Sequence, residues 1–264
     1  MSEERVTTSL TDGVADVRLA RPDKLNGLDG PMFDALIETG RRLASEPGLR
    51  AVVLSGEGRS FCAGLDFTSF FGGGDQKGPG LLERGTESPT NRAQRAAWVW
   101  TELPVPVIAA LHGHVYGGGL QIAMAADLRI AAPDARLSVM EIKWGLIPDM
   151  TAGQTLRHLV RLDVAKELTF TGRVVTGSEA LELGLATRLS ETPRETALEL
   201  ARTIASKSPQ AIRAGKRLLD EVGFLDLEAG LRLEEDLQRT LLGSPNQLES
   251  VRANMEKREP KFED

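Results

Sequence analysis

The stretch HVYGGGLQIAMAAD, His114 to Asp127, sets three consecutive glycines in front of an apolar helical pattern, with one amide, Gln121, two places after the last glycine. So bare a backbone is entropically costly and asks for a reason. Either a ligand comes close to the unpaired N–H groups of a helix start, where the dipole favours negative charge, or the helix packs tightly against a strand. The segment alone is compatible with both. It is preceded by VPVIAALHG, a β-rich run, and followed by LRIAAP and ARLSVM, two short strands. The centre of the chain is therefore α/β.

The same order recurs upstream. VTTSLTDGVADVRLAR alternates around Thr11-Asp12-Gly13, the composition of a β-hairpin. GPMFDALIETGRRLASEP places Met32, Phe33, Leu36, Ile37 and Leu43 at helical spacing, and RAVVLSGEG follows as a buried strand. WVWTELP also reads as helical. Between Phe67 and Asn91 the chain is rich in Gly, Ser, Thr and Pro and too long for an ordinary connection, which suggests a flap beside a site. From Pro193 onward the pattern stays helical, broken at Gly223 and at Gly243-Ser244-Pro245. The expected division is a core over 1–192 and a helical region over 193–264.

The 264 residues carry a net charge of −6 and 41% apolar residues, enough for one large core and a poor match to a nucleic-acid binder. No apolar run reaches the roughly 18 residues that span a bilayer. The one cysteine, Cys62, excludes an internal disulfide framework, and the start MSEERVTTSL lacks the features of a signal peptide, so a cytoplasmic location is expected.

Three stretches could carry chemistry. Neither GGG at 117–119 nor GEGRSF fits a dinucleotide or P-loop fingerprint. SFCAGLDF, Ser60 to Phe67, is a second bare turn directly after a strand, and two such turns could aim two N–H groups at one oxygen. Cys62 reads as a buried structural thiol more readily than as a nucleophile, and His112 and His114 lack the further ligands of a metal site. SVMEIKWGLIPDM, Ser138 to Met150, surrounds Glu141 and Asp149 with apolar residues, and Gly145 and Pro148 prevent one helix from joining them. Such acids can have raised pKa values and exchange protons at neutral pH, or they can be ordinary salt-bridge partners of Lys143 or Arg157.

Taken in order, RPDKLNGLD, GRSFCAGLDF, PVIAALHGHVYGGGLQIAMAADLRIA, EIKWGLIP and KREPKF give the chain a nearly full-length resemblance to the crotonase (enoyl-CoA hydratase/isomerase) superfamily. The resemblance implies a spiral of ββα turns followed by trimerisation helices, a homotrimer or dimer of trimers, and an acyl-CoA thioester substrate. It implies no metal or redox cofactor, because coenzyme A is part of the substrate. By the same resemblance the N–H groups of Leu65 and Gly118 would form the oxyanion hole, a side chain at 118 would obstruct the thioester oxygen, and Arg21, Lys24, Ala63 and Asp66 would meet coenzyme A. Hydratases of the family hold water between two glutamates; here the second is Glu141, but the first is Gln121, left to orient a water or a polar substrate group. Asp149, eight residues after Glu141, resembles the dienoyl-CoA isomerase branch. The expected activity is thus double-bond isomerisation on Glu141 and Asp149. The alternatives are hydration through Glu141 and, in another class, a catalytically silent acyl-CoA-binding protein.

Overall fold

Asp12 and Gly13 both take positive φ, 51° and 75°, the geometry of a two-residue hairpin turn whose twist matches its strands. They join β1 (Val6–Thr11) to β2 (Val14–Leu19), as the sequence leads one to expect. The computed structural model describes residues 4–71, 80–84 and 88–264. After the hairpin, Asp29 accepts a hydrogen bond from Met32 N and starts α1 (Gly30–Ala44), which buries Met32, Phe33, Leu36 and Leu43. β3 (Ala51–Gly56) follows and is buried along its whole length. Of the expected flap, α2 (Phe67–Phe71) and a bridge between Arg84 and Asn91 are seen; residues 72–79 and 85–87 lie outside the described residues.

α3 (Arg92–Thr101) opens on a capping box of Asn91 and Gln94 and packs against α1. Then come β4 (Val107–Leu111), β5 (His114–Tyr116), α4 (Gly118–Met124), β6 (Leu128–Ala131) and β7 (Arg136–Ser138). A short 3-10 turn spans Glu141–Trp144. It is followed by α5 (Ala152–Leu159), α6 (Leu162–Thr171), β8 (Val175–Thr176), α7 (Gly177–Leu183) and β9 (Arg188–Leu189).

Two sheets result: a six-stranded one ordered β1-β2-β3-β4-β6-β9, and a three-stranded one ordered β5-β7-β8. From β2 on, every pairing in the larger sheet is parallel, and its inner strands read as continuous apolar runs because both faces are covered. Each turn of the chain contributes a strand to the large sheet, a short strand to the second layer and a helix: β4, β5, α4 is one such turn. The second-layer positions stack, Cys62 bridging Val115 and Val115 pairing with Leu137. This is the expected α/β spiral of ββα turns.

Four helices close the chain: α8 (Pro193–Ala205), α9 (Pro209–Val222), α10 (Leu227–Leu241) and α11 (Pro245–Glu256). The expected boundary at 192/193 does not follow the packing. Ala197, Ala201 and Ala205 of α8 pack on Val14, Val53, Ile108 and Ile130, so α8 covers the second face of the large sheet and belongs to the core. Beyond it, α9 to α11 leave Leu219, Phe224, Leu227, Leu231 and Met255 largely exposed.

Candidate active site

The candidate residues come from the same place in three successive turns of the spiral. Leu65 lies three residues after Cys62, Gly118 three after Val115 and Glu141 four after Leu137, and those three anchors stand side by side in the second layer. The Gly64 carbonyl accepts from Leu28 N at 2.8 Å and Asp66 N donates to the Leu28 carbonyl at 3.0 Å, leaving the intervening Leu65 N–H turned the other way. Gly64 has φ 86°, a left-handed conformation suited to glycine. A Cβ there would lie 2.8 Å from the Tyr116 carbonyl oxygen and 3.7 Å from Gly118 N, so the two bare turns touch. Neither Leu65 N–H nor Gly118 N–H donates to a protein acceptor among the described residues. Two free donors on abutting turns are what a thioester oxygen gathering negative charge requires.

The glycines at 118 and 119 have a packing reason too. A Cβ on Gly119 would lie 2.5 Å from the Cys62 carbonyl oxygen, and one on Gly118 would lie 2.8 Å from Leu28 Cδ1 and from Met150 Sδ. A side chain at 118 would therefore strain the packing whether or not a ligand is bound. What it meets first is buried Leu28 and Met150, and a larger residue would disturb the packing of α4.

Gln121 is buried at 1% exposure on α4 and makes three hydrogen bonds. Its Nε2 donates to Glu141 Oε1 at 2.7 Å, and its Oε1 accepts from Met150 N at 2.8 Å and from Ala152 N at 3.2 Å. The amide orientation follows from this pattern, since only an oxygen can accept from two backbone N–H groups. Its carbonyl is thus occupied by protein, so that any water or substrate group it orients would have to meet the second N–H of Nε2. Met150 and Ala152 flank Thr151, which has φ 78° and ψ 3°, a rare conformation for a β-branched residue. Backbone N–H groups converging in this way form a concavity that favours an oxygen. Gln121 fills it and caps α5 across 31 residues of sequence.

Glu141 and Asp149 are brought to one mouth by the 3-10 turn and the extended segment after Gly145. Burial raises the pKa of Glu141; hydrogen bonds from its own backbone and from Gln121 oppose this, and the charge of Asp149 adds to it. Burial also raises that of Asp149, against a bond to its own backbone, although the residue is open to solvent on one side. Glu141 Oε2 is buried with no hydrogen-bond partner among the described residues. The salt-bridge alternative is not what is found. Lys143 Nζ lies 5.6 Å from the Trp144 ring centroid, and Arg157 lies over Phe224 and donates to His158. Trp144 in turn meets Phe67 of α2, with ring centroids 4.2 Å apart, at the edge of the same mouth.

The expected coenzyme A contacts divide. Lys24 is exposed, with no side-chain partner among the described residues. Arg21, by contrast, is held by protein partners. It is 11% exposed, its Nη1 donates to Asp66 Oδ2 at 2.8 Å and to the Gly27 carbonyl at 3.0 Å, and its Nε lies 3.5 Å from Asp29. Asp66 is equally committed. Burial would raise its pKa, but hydrogen bonds from Thr68, Ser69 and Arg21 hold the carboxyl well below the usual range. Ala63 N donates to the Leu25 carbonyl, while no described backbone N–H is given to its own carbonyl.

Burial pushes the Cys62 thiol up to about 12, and Sγ donates to the Asn26 carbonyl, so it is structural as expected. His112 faces the Gly58 carbonyl and His114 the Ser60 hydroxyl.

Residues 9–264 match the family described as enoyl-CoA hydratase/isomerase. A probable enoyl-CoA hydratase of Bacillus subtilis is 35% identical over 248 residues, covering 90% of each chain. Mouse enoyl-CoA hydratase domain-containing protein 2, mitochondrial, is 32% identical over 97% of this chain and 86% of its own. Among solved structures, an enoyl-CoA hydratase from Bacillus anthracis superposes with a TM-score of 0.90 at 30% identity, covering 98% of both chains. With that match along nearly its whole length, the chain belongs to the enoyl-CoA hydratase/isomerase family.

Proposed function

We propose that the protein is an acyl-CoA double-bond isomerase acting on an enoyl- or dienoyl-CoA. Asp149, as carboxylate, takes a proton from one carbon of the acyl chain. The electron pair moves through the conjugated system to the thioester oxygen, where Leu65 and Gly118 N–H stabilise it. Glu141 returns a proton at another carbon, so the double bond moves and no atom is gained or lost. The scheme uses no metal or redox cofactor. The observation that carries it is the pair of acids with raised pKa values, neither in an ion pair among the described residues, set beside a Gln121 that has no carboxylate with which to activate water.

Hydration of a 2-enoyl-CoA through Glu141 is the second reading, favoured by the hydratase names of the relatives. Product mass from a panel of 2-enoyl-, 3-enoyl- and 3,5-dienoyl-CoA thioesters separates the two, since hydration adds one water and isomerisation adds nothing. Asp149→Asn should cost on the order of a hundredfold in isomerisation. Full activity in that variant on every substrate would transfer the assignment to the hydratase. The exposed apolar residues of α9 to α11 support a homotrimer or dimer of trimers.

A further inference from the structure

We propose that Gln121 is the positioning residue of this site: its N–H ties down Glu141 Oε1, so that Oε2 alone carries the exchangeable proton, while its carbonyl fixes the turn bearing Asp149. The inference rests on Glu141 being a proton-transfer group, which the isomerase and hydratase readings share.

The distances define the roles. An amide N–H donating to Oε1 at 2.7 Å stabilises that oxygen as the acceptor and disfavours a proton on it, and the other oxygen of the same carboxyl is buried without a partner among the described residues. A proton taken up by Glu141 therefore sits on Oε2. On its other side, Gln121 Oε1 accepts from Met150 and Ala152 and holds Thr151, two residues past Asp149, in its left-handed conformation. One side chain thus sets both acids. Only a neutral group with a donor at one end and an acceptor at the other does this, and glutamine at this length is that group.

The charged surroundings are few. α4 brings Gln121 as its polar group; α5 brings Arg157 and His158; α6, packed against the 3-10 turn, brings Asp163, Lys166 and Glu167, with Arg173 beyond it paired to Glu167 and Glu179. On the turn itself Lys143 is occupied with Trp144. Among these, Asp149 is the charge that acts on Glu141.

The test is Gln121→Glu. The introduced carboxyl keeps the two backbone bonds, and when protonated it is isosteric with the amide and still donates to Glu141 Oε1. Once it ionises, two carboxylate oxygens face each other and the remaining proton is drawn between them, away from Oε2. Carbon-13 titration of glutamate carboxyls, with Glu141→Gln used for assignment, should show Glu141 titrating as one site in the wild type. In Gln121→Glu the pair should titrate in two steps separated by more than about one pH unit. Turnover of the variant relative to the wild type at the same pH should fall at least tenfold as the first step is passed. If the variant is unstable at neutral pH, the titration is begun from acid, where its form mimics the wild type. An unchanged one-site titration of Glu141, or an unchanged pH profile, would overturn the proposal. A split titration in an enzyme that moves no double bond would keep the proposal and remove the isomerase reading; an isomerase with an unsplit titration would do the reverse.

Discussion

Gly64→Ala should slow every thioester reaction of this protein with little effect on binding of the coenzyme. A methyl at Gly64 meets the Tyr116 carbonyl oxygen at 2.8 Å, a backbone atom that cannot rotate away. An ordinary carbon–oxygen contact is about 3.4 Å, so the turns carrying Leu65 and Gly118 must separate by about 0.6 Å. A hydrogen bond of about 2.9 Å lengthened by that amount reaches about 3.5 Å, the edge of what counts as one. Losing one oxyanion donor costs about 2.7–4 kcal/mol, or a hundred- to a thousandfold in kcat. Holding alanine in the left-handed region adds about 1–2 kcal/mol of destabilisation. The assay is single-turnover kinetics on an acyl-CoA substrate, beside calorimetric binding of a non-reactive thioester and thermal unfolding. The expected result is a folded variant with a lower melting temperature, near-normal binding and a collapsed chemical step. A variant that turns over within about twofold of wild type would refute the claim that these two N–H groups stabilise the transition state.

Burial raises the pKa of Glu141 in the folded protein, so the native state binds that proton more tightly than the unfolded chain and stability is lost as pH rises from the ordinary carboxylate value through the raised one. Glu141→Gln should therefore melt higher than wild type at neutral pH, by about 2–4 °C for each kcal/mol relieved, and the gain should vanish in acid; equal melting at both pH values would contradict it. Arg21→Met breaks the buried contacts to Asp66 and Asp29 and should cost stability, about 3–5 kcal/mol by denaturant titration. Lys24→Ala, at an exposed cation, should raise KM for the acyl-CoA at low salt and leave kcat alone, whereas an effect on kcat only would count against a coenzyme contact. Light scattering at micromolar concentration should give a trimer or its dimer, and a monomer mass would mean that the exposed leucines of α9 to α11 have another use.

What the sequence revealed was mostly what repeats at a fixed period. The hairpin at Asp12-Gly13, α1, the buried β3 and β4, and the four closing helices are visible because side-chain burial alternates at 2 or 3.6 residues and turn residues punctuate it. The two-residue strands β8 and β9 are too short to show a period, and α8 belongs to the core through alanines that look the same on a free helix. At the site, residue types were legible but partners were not. That Arg21 is held by Asp66, 45 positions away, leaves no mark in the local sequence. The capping of α5 by Gln121 leaves no local trace, and neither does the left-handed Thr151, which carries neither the glycine nor the asparagine that usually marks such a backbone.

The spiral also divides the labour between backbone and side chains. On the proposed reading its first two bare turns contribute N–H groups from Leu65 and Gly118, which would act on the thioester oxygen and therefore on any reaction that passes charge through it. The remaining turn contributes Glu141 and Asp149, and α4 contributes Gln121; on the same reading these would decide where protons go once the charge is there. Names shared across a family at about a third identity follow the first part, because the fold fixes it. The product would follow the second, which rests on three side chains. Substitution at Gly64 should thus lower the rate of every product alike, while substitution at Gln121 or Asp149 should change the ratio of one product to another.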